Sequence, residues 1–296
     1  MCVRLLYLLC YSFLMLGITA CGGSETSEAP SADPGLEPSL EPTSPPSNTN
    51  DPETGKTVQL DCGSVSGGIS ANRLDSEAKE YLLCKHNQTR SQVALGNFLG
   101  LSGDFAVATD MKRLQWDAKL EQVAQAWASQ CQWQHNANRA DQYNALSPTD
   151  INGNALNRNV SVGENLAFFS SSNLDSATMD FAVRGYDAWE DEGRDYSIGS
   201  FSVSDHCDVN ACGHFTQLIW ASSYKVACAV SYCPAGTVSS YGATYLVCNY
   251  ASAGNYSGQL PYKQGSEPAD VCSEADNGQA LCKNGLTEAN DYRSGF

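Results

Sequence analysis

Apolar residues along the chain fall into three textures. A nearly continuous apolar run from Leu5 to Leu16 follows Arg4; it is too short to cross a bilayer as a stable helix and has the shape of a secretory signal. From Gly22 to about Thr57 hardly a large apolar residue occurs, while Pro, Ser, Glu, Asp and Thr dominate. Prolines at 30, 34, 38, 42, 45 and 46 favour an extended backbone, so this stretch predicts a disordered acidic tether. Periodic patterning sets in only near Cys62. A first helix is expected from Asp75 or Ser76, whose side chains can accept first-turn amides, to about Val93. Leu120, Val123, Ala124, Trp127 and Cys131 recur at steps of three and four and predict a second helix, with His135 on the same stripe if the helix continues. A third covers about Ser176 to Gly193, where Ala182, Gly185, Trp189 and Glu192 share one face and Glu190 points elsewhere. After Gly213 the texture turns β-branched and aromatic, and Phe215 to Trp220, Val226 to Tyr232 and Thr244 to Tyr250 read as strands. Helices followed by a short antiparallel strand set indicate an α+β fold with helices covering the sheet. Trp116, Trp127, Trp189 and Trp220 read as core side chains.

Composition narrows the setting. With 296 residues and 42% hydrophobic content the chain can bury a sizeable core, and a formal charge of -16 without a Lys/Arg cluster excludes a basic nucleic-acid face. Thirteen cysteines without a CxxC pair point to disulfides in an oxidising compartment rather than to a thiolate metal site. The apolar run ends in Leu16-Gly17-Ile18-Thr19-Ala20-Cys21, which resembles a bacterial lipoprotein signal, with Cys21 as the lipidated first residue anchoring the protein to a membrane. Ordinary cleavage near Ala20, leaving Cys21 as a thiol, is the alternative. Setting aside Cys2, Cys10 and Cys21 leaves ten cysteines, an even number that can all pair. The expected organisation is a lipoprotein-type signal at 1–20, a tether at 21–58, a globular domain at 62–262 with its core at 75–262, and an extension at 263–296 holding a local disulfide.

Two strings identify a family. Gly213-His214-Phe215-Thr216-Gln217-Leu218-Ile219-Trp220, and Val247-Cys248-Asn249-Tyr250 followed by Ala253-Gly254-Asn255-Tyr256, resemble the two signatures of the CAP superfamily: cysteine-rich secretory proteins, venom allergens and plant pathogenesis-related class 1 proteins. His86-Asn87 with Arg90, Leu114 to Asp117, Gly163-Glu164-Asn165-Leu166 and Trp189 to Tyr196 join them in the family's order. The resemblance spans about 190 residues and implies an α-β-α sandwich. It also implies a cleft tetrad of His135, Glu164, Glu192 and His214, with Glu190 standing where the family has Tyr. His135 and His214 are candidate Zn²⁺ ligands, and the carboxylates could orient them or act as acid and base. His86 and His206 read as structural.

The resemblance further pairs Cys131 with Cys233, Cys228 with Cys248, and Cys207 with Cys212. A bridge common in animal relatives would join the positions of Val162 and Ala251, so both of its cysteines are absent. The connectivity of the four remaining cysteines, Cys62, Cys84, Cys272 and Cys282, is not fixed by the sequence; of the three pairings, 62–84 with 272–282 is the working expectation. For function, the family implies an extracellular binding module for a sterol, fatty acid or other apolar ligand, with Tyr250 and Tyr256 as groove residues, or for an extracellular protein. The alternative is a hydrolase built on the tetrad. No GxSxG elbow or HExxH helix supports a peptidase.

Overall fold

A computed structural model describes residues 60–65, 67–101, 103–198, 212–269, 275–276 and 280–282. The expected signal, the whole of the tether, Cys21, Cys207, His206 and Cys272 lie outside the described residues. Among the described residues no helix is long and apolar enough to cross a membrane.

Four strands make the central sheet: β1 (Gln115–Trp116), β2 (Val162–Ser171), β3 (Lys225–Cys233) and β4 (Gly242–Ala251), in the spatial order β1-β3-β4-β2. The three long strands are antiparallel, whereas β1 runs parallel to β3. Register along β2 and β4 runs from Val162 opposite Ala251 to Ser171 opposite Gly242. The positions that share the missing bridge therefore face each other across one ladder. One sheet face packs against α1 (Ser76–Ala94), α4 (Met179–Asp191) and α5 (Gly213–Leu218); the other packs against α2 (Ala118–Ala128) and α3 (Arg139–Ala145). This is the expected three-layer α-β-α arrangement.

α1, α2 and α4 each start where a side chain satisfies orphan amides. Asp75 accepts from Ala78 N, Asp117 from Lys119 N and Leu120 N, and Thr178 from Phe181 N. α1 is unusual in what it buries. His86, Asn87, Thr89, Arg90 and Ser91 are all buried, so its inner face is polar and carries little apolar periodicity. Arg90 spends its guanidinium on five backbone carbonyls, those of Lys112, Leu218, Trp220, Ala221 and Ser223, at 2.7–3.3 Å. Those bonds fix the chain from the end of α5 into β3. Asn87 does the same for the entry to β1, exchanging two bonds with the backbone of Leu114.

Two expectations are corrected. Phe215 to Trp220 is not a strand: residues 213–218 form α5, because the carboxylate of Glu192 accepts from His214 N and Phe215 N at the helix start and Thr216 Oγ1 donates to the Cys212 carbonyl. A partner 22 residues away decided that conformation, and no local propensity shows it. Nor does His135 extend the α2 stripe. The helix stops at Ala128 and the chain turns at Cys131, which has a positive φ of 52° and is held to β3 by the Cys131–Cys233 bridge. The strand β2 also lay unread in the sequence, its first half carrying the Gly-Glu-Asn-Leu motif.

Cys62–Cys84, Cys131–Cys233 and Cys228–Cys248 are bonded as expected. Cys212 and Cys282 are also disulfide-bonded, and the cysteines expected to pair with them fall outside the described residues.

Candidate functional site

The four residues of the expected tetrad form two His–Glu pairs flanking β2, one of the two edge strands of the sheet. Glu164 stands on β2; its Oε1 accepts from His135 Nδ1 at 2.9 Å and from the backbone amide of Asn136 at 2.9 Å. Glu192, in the single 3₁₀ turn Glu192–Asp195 that ends α4, takes His214 Nδ1 at 2.6 Å through Oε1, while Oε2 takes the amides of α5. Glycine is required here for close approach, since a Cβ on Gly193 would meet the Phe215 ring at 2.5 Å. The Trp189 ring stacks on the His214 imidazole, with centroids 5.8 Å apart and planes 19° apart. Adjacent residues of β2 reach both pairs: Glu164 binds His135, and Asn165 Nδ2 donates to the His214 carbonyl.

Burial is unequal in a useful way. The Glu164 side chain is 0% exposed and that of Glu192 is 20%, whereas His135 and His214 are 57% and 34% exposed. Each carboxylate is thus rooted in the fold and each imidazole faces outward. With an ionised carboxylate accepting at Nδ1, that nitrogen carries the proton and Nε2 presents its lone pair. Neither Nε2 has a partner among the described residues. That donor set fits Zn²⁺, which takes neutral imidazole nitrogens whose other nitrogen is held by a carboxylate. Bound there, the ion would supply Lewis acidity, and Glu164 and Glu192 would hold the ring orientation.

Glu190 is directed elsewhere. It bonds the Thr89 hydroxyl and lies 3.6 Å from Lys85 Nζ. Tyr250 is a core residue rather than a groove wall: it is fully buried, and its hydroxyl meets His86 Nε2 at 3.0 Å and Asn165 Nδ2 at 3.3 Å. Burial raises its phenol well above the usual range. Tyr256 is exposed, with its hydroxyl on Ser161 at 2.8 Å. His86, Cys228 and Cys248 lie close enough together to suggest a metal site. Both sulfurs, however, are spent in one disulfide, and His86 Nδ1 and Nε2 are both hydrogen-bonded, so no ligand atom is left.

Pattern reading missed Asn136, whose amide completes the Glu164 anchor, and Trp133. Trp133 stands 52% exposed, close to His135 in the chain, its ring edge-on to Phe168 at 4.8 Å. Only its place in a turn-rich stretch just before His135 could have drawn attention to it. An open groove of about 460 Å³ lies apart from the tetrad, lined by Val65, Ile69 and Tyr81 and by Met179, Asp180 and Val183 of α4.

Residues 83–250 match the family model "CAP: Cysteine-rich secretory protein family". The chain is 34% identical over 205 residues to GLIPR1-like protein 1 of Bos taurus, covering 69% of this chain and 70% of that protein. It is 33% identical over 220 residues to cysteine-rich secretory protein LCCL domain-containing 2 of Homo sapiens, spanning 71% of this chain but only 36% of that longer protein. Among solved structures, the crystal structure of NaASP2 with Zn²⁺ superposes with a TM-score of 0.57 at 27% identity, covering 73% of this chain and all of that one.

Proposed function

Because the chain belongs to the cysteine-rich secretory protein (CAP) family, we propose that it acts outside the cell as a binding module whose cleft takes Zn²⁺ through Nε2 of His135 and His214. The observation that carries this reading is the pairing itself: both glutamates occupy Nδ1, and neither Nε2 atom has a partner among the described residues. The similar fold of NaASP2, crystallised with Zn²⁺, adds support. Among the described residues neither imidazole is bonded to a hydroxyl or thiol, so none of them offers a Ser, Thr or Cys nucleophile primed as a covalent hydrolase requires. Binding rather than turnover is therefore the favoured use of the site.

The apolar ligand implied by the family is assigned to the groove between residues 65–69, Tyr81 and α4, whose volume suits a small molecule and whose lining mixes Val65, Ile69, Met179 and Val183 with Ser64, Thr178 and Asp180. Tyr250 has no part in it.

Calorimetric titration of the protein with Zn²⁺, beside the His135→Ala/His214→Ala double variant, tests the cleft. Micromolar or tighter binding that disappears in the double variant is the expected result; equal heats in both proteins would sink the metal reading. Uptake of a labelled fatty acid or sterol, reduced by Val183→Asp, checks the groove separately.

A further inference from the structure

Behind the His135–Glu164 pair lies a buried polar spot that the cleft description leaves unexplained. Glu164 satisfies only one of its oxygens. Oε1 accepts two bonds, while Oε2 is fully buried and accepts none among the described residues. Directly opposite Glu164 in the β2–β4 register is Asn249, which is 0% exposed and whose Oδ1 and Nδ2 likewise have no partner. Opposed residues of an antiparallel pair project to the same face, with Cβ atoms about 5 Å apart. Three orphan polar atoms therefore share one patch.

That patch is set in apolar surroundings. On the same face the flanking register pairs are Val162 with Ala251 and Leu166 with Val247, and the β3 residue opposite Asn249 is Ala227. A valine or leucine at 249 would continue this face without cost. An asparagine with no partner is penalised, because a buried amide loses its bonds to water and gains nothing in return. Ala227 contributes only a methyl group and no polar partner for the amide. The chemistry is that of an internal water site: two acceptors and one NH₂ donor are what a single water can bridge, donating to Glu164 Oε2 and Asn249 Oδ1 and accepting from Nδ2.

We infer that Asn249, through a buried water shared with Glu164 Oε2, is a positioning residue for the Glu164–His135 pair. With Oε2 held from behind, Oε1 stays on Asn136 N and His135 Nδ1, and Nε2 keeps its lone pair outward. This deepens the zinc reading above and rests on it for its affinity readout alone.

A high-resolution crystal structure of the unaltered protein, without metal, is the direct test. An ordered water within hydrogen-bond distance of both Glu164 Oε2 and the Asn249 amide is expected; dry density there, or a direct amide–carboxylate bond, overturns the inference. ¹⁵N NMR of the His135 ring gives a readout that a merely structural role would not move. The Nδ1–H tautomer should dominate in the unaltered protein, lose population in Asn249→Leu and recover in Asn249→Ser, with His214 unchanged in all three. Zinc affinity should fall about ten- to a hundredfold in Asn249→Leu and return in Asn249→Ser. An unmoved His135 tautomer overturns the inference even if zinc binds. If zinc does not bind the unaltered protein while the water and tautomer results hold, the zinc reading fails and this one stands. Should Asn249→Leu not fold, the crystal structure and Asn249→Ser decide.

Discussion

The histidine of α1 and the two histidines of the cleft show how one side chain takes opposite roles. His86 is sealed in the core with Nδ1 on the Leu82 carbonyl and Nε2 on the Tyr250 hydroxyl, and burial pulls its pKa down to about 4. His135 and His214 each have one nitrogen held by a carboxylate and the other without a partner among the described residues. What separates a brace from a binding group here is the number of ring nitrogens already committed. The same contrast holds for charge: Arg90 is buried and spends every bond on backbone, while Glu164 and Glu192 spend theirs on aiming a ring outward.

If the α1 layer is purely structural, its removal should cost stability. Arg90→Ala leaves five buried carbonyls without their donor and is expected to cost about 3–5 kcal/mol, read as a large drop in urea midpoint. A loss under about 1 kcal/mol would break the comparison from the structural side.

Acid should expose His86 in the same way. Its folded pKa lies below the unfolded value near 6.5, so the unfolded chain binds the proton first. The stability it contributes is complete above pH 6.5 and is lost as pH falls from 6.5 to about 4, by about 3 kcal/mol. Urea unfolding across that window should show the slope, and His86→Phe should flatten it.

For the cleft the expected signature is reversed. Glu192→Gln keeps an acceptor for the α5 amides but no longer holds a charge-assisted bond to His214, so zinc affinity should fall about ten- to a hundredfold, with a stability loss smaller than that of Arg90→Ala. Calorimetry and urea unfolding on one sample give both numbers. Equal zinc affinity would make Glu192 only a cap for α5.

The smallest effect belongs to the exposed rim. Tyr256→Phe removes one hydroxyl contact to Ser161 and should shift stability by no more than about 0.5 kcal/mol and leave zinc binding unchanged. A larger change in either would move Tyr256 into the site.

Much of this was legible in the chain. Asp75, Asp117 and the three- and four-residue steps of α2 and α4 fixed those helices locally, because capping and amphipathic burial act within a few residues. The two signature strings carried the family, the sandwich and the choice of His135, Glu164, Glu192 and His214. Cys131–Cys233 and Cys228–Cys248 rested on that resemblance, while Cys62–Cys84 was one of three pairings left open until the structure showed it, since spacing alone does not fix connectivity.

Tertiary structure decided what depends on distant partners. Residues 213–218 coil because Glu192 receives their amides, although aromatic and β-branched side chains suggest a strand. His135 reaches the cleft from a loop, because the chain turns at Cys131 and Asn136 N joins it on Glu164. Tyr250 went to the core rather than to a groove because Cys248 and Tyr250 face the α1 layer while Asn249 faces α2, an alternation that the strand sets and only the sheet's two covered faces make decisive. Sequence supplies the side chains and their local geometry; which nitrogen is spent and which is free is settled only when β2, α4 and α5 are packed around one edge of the sheet.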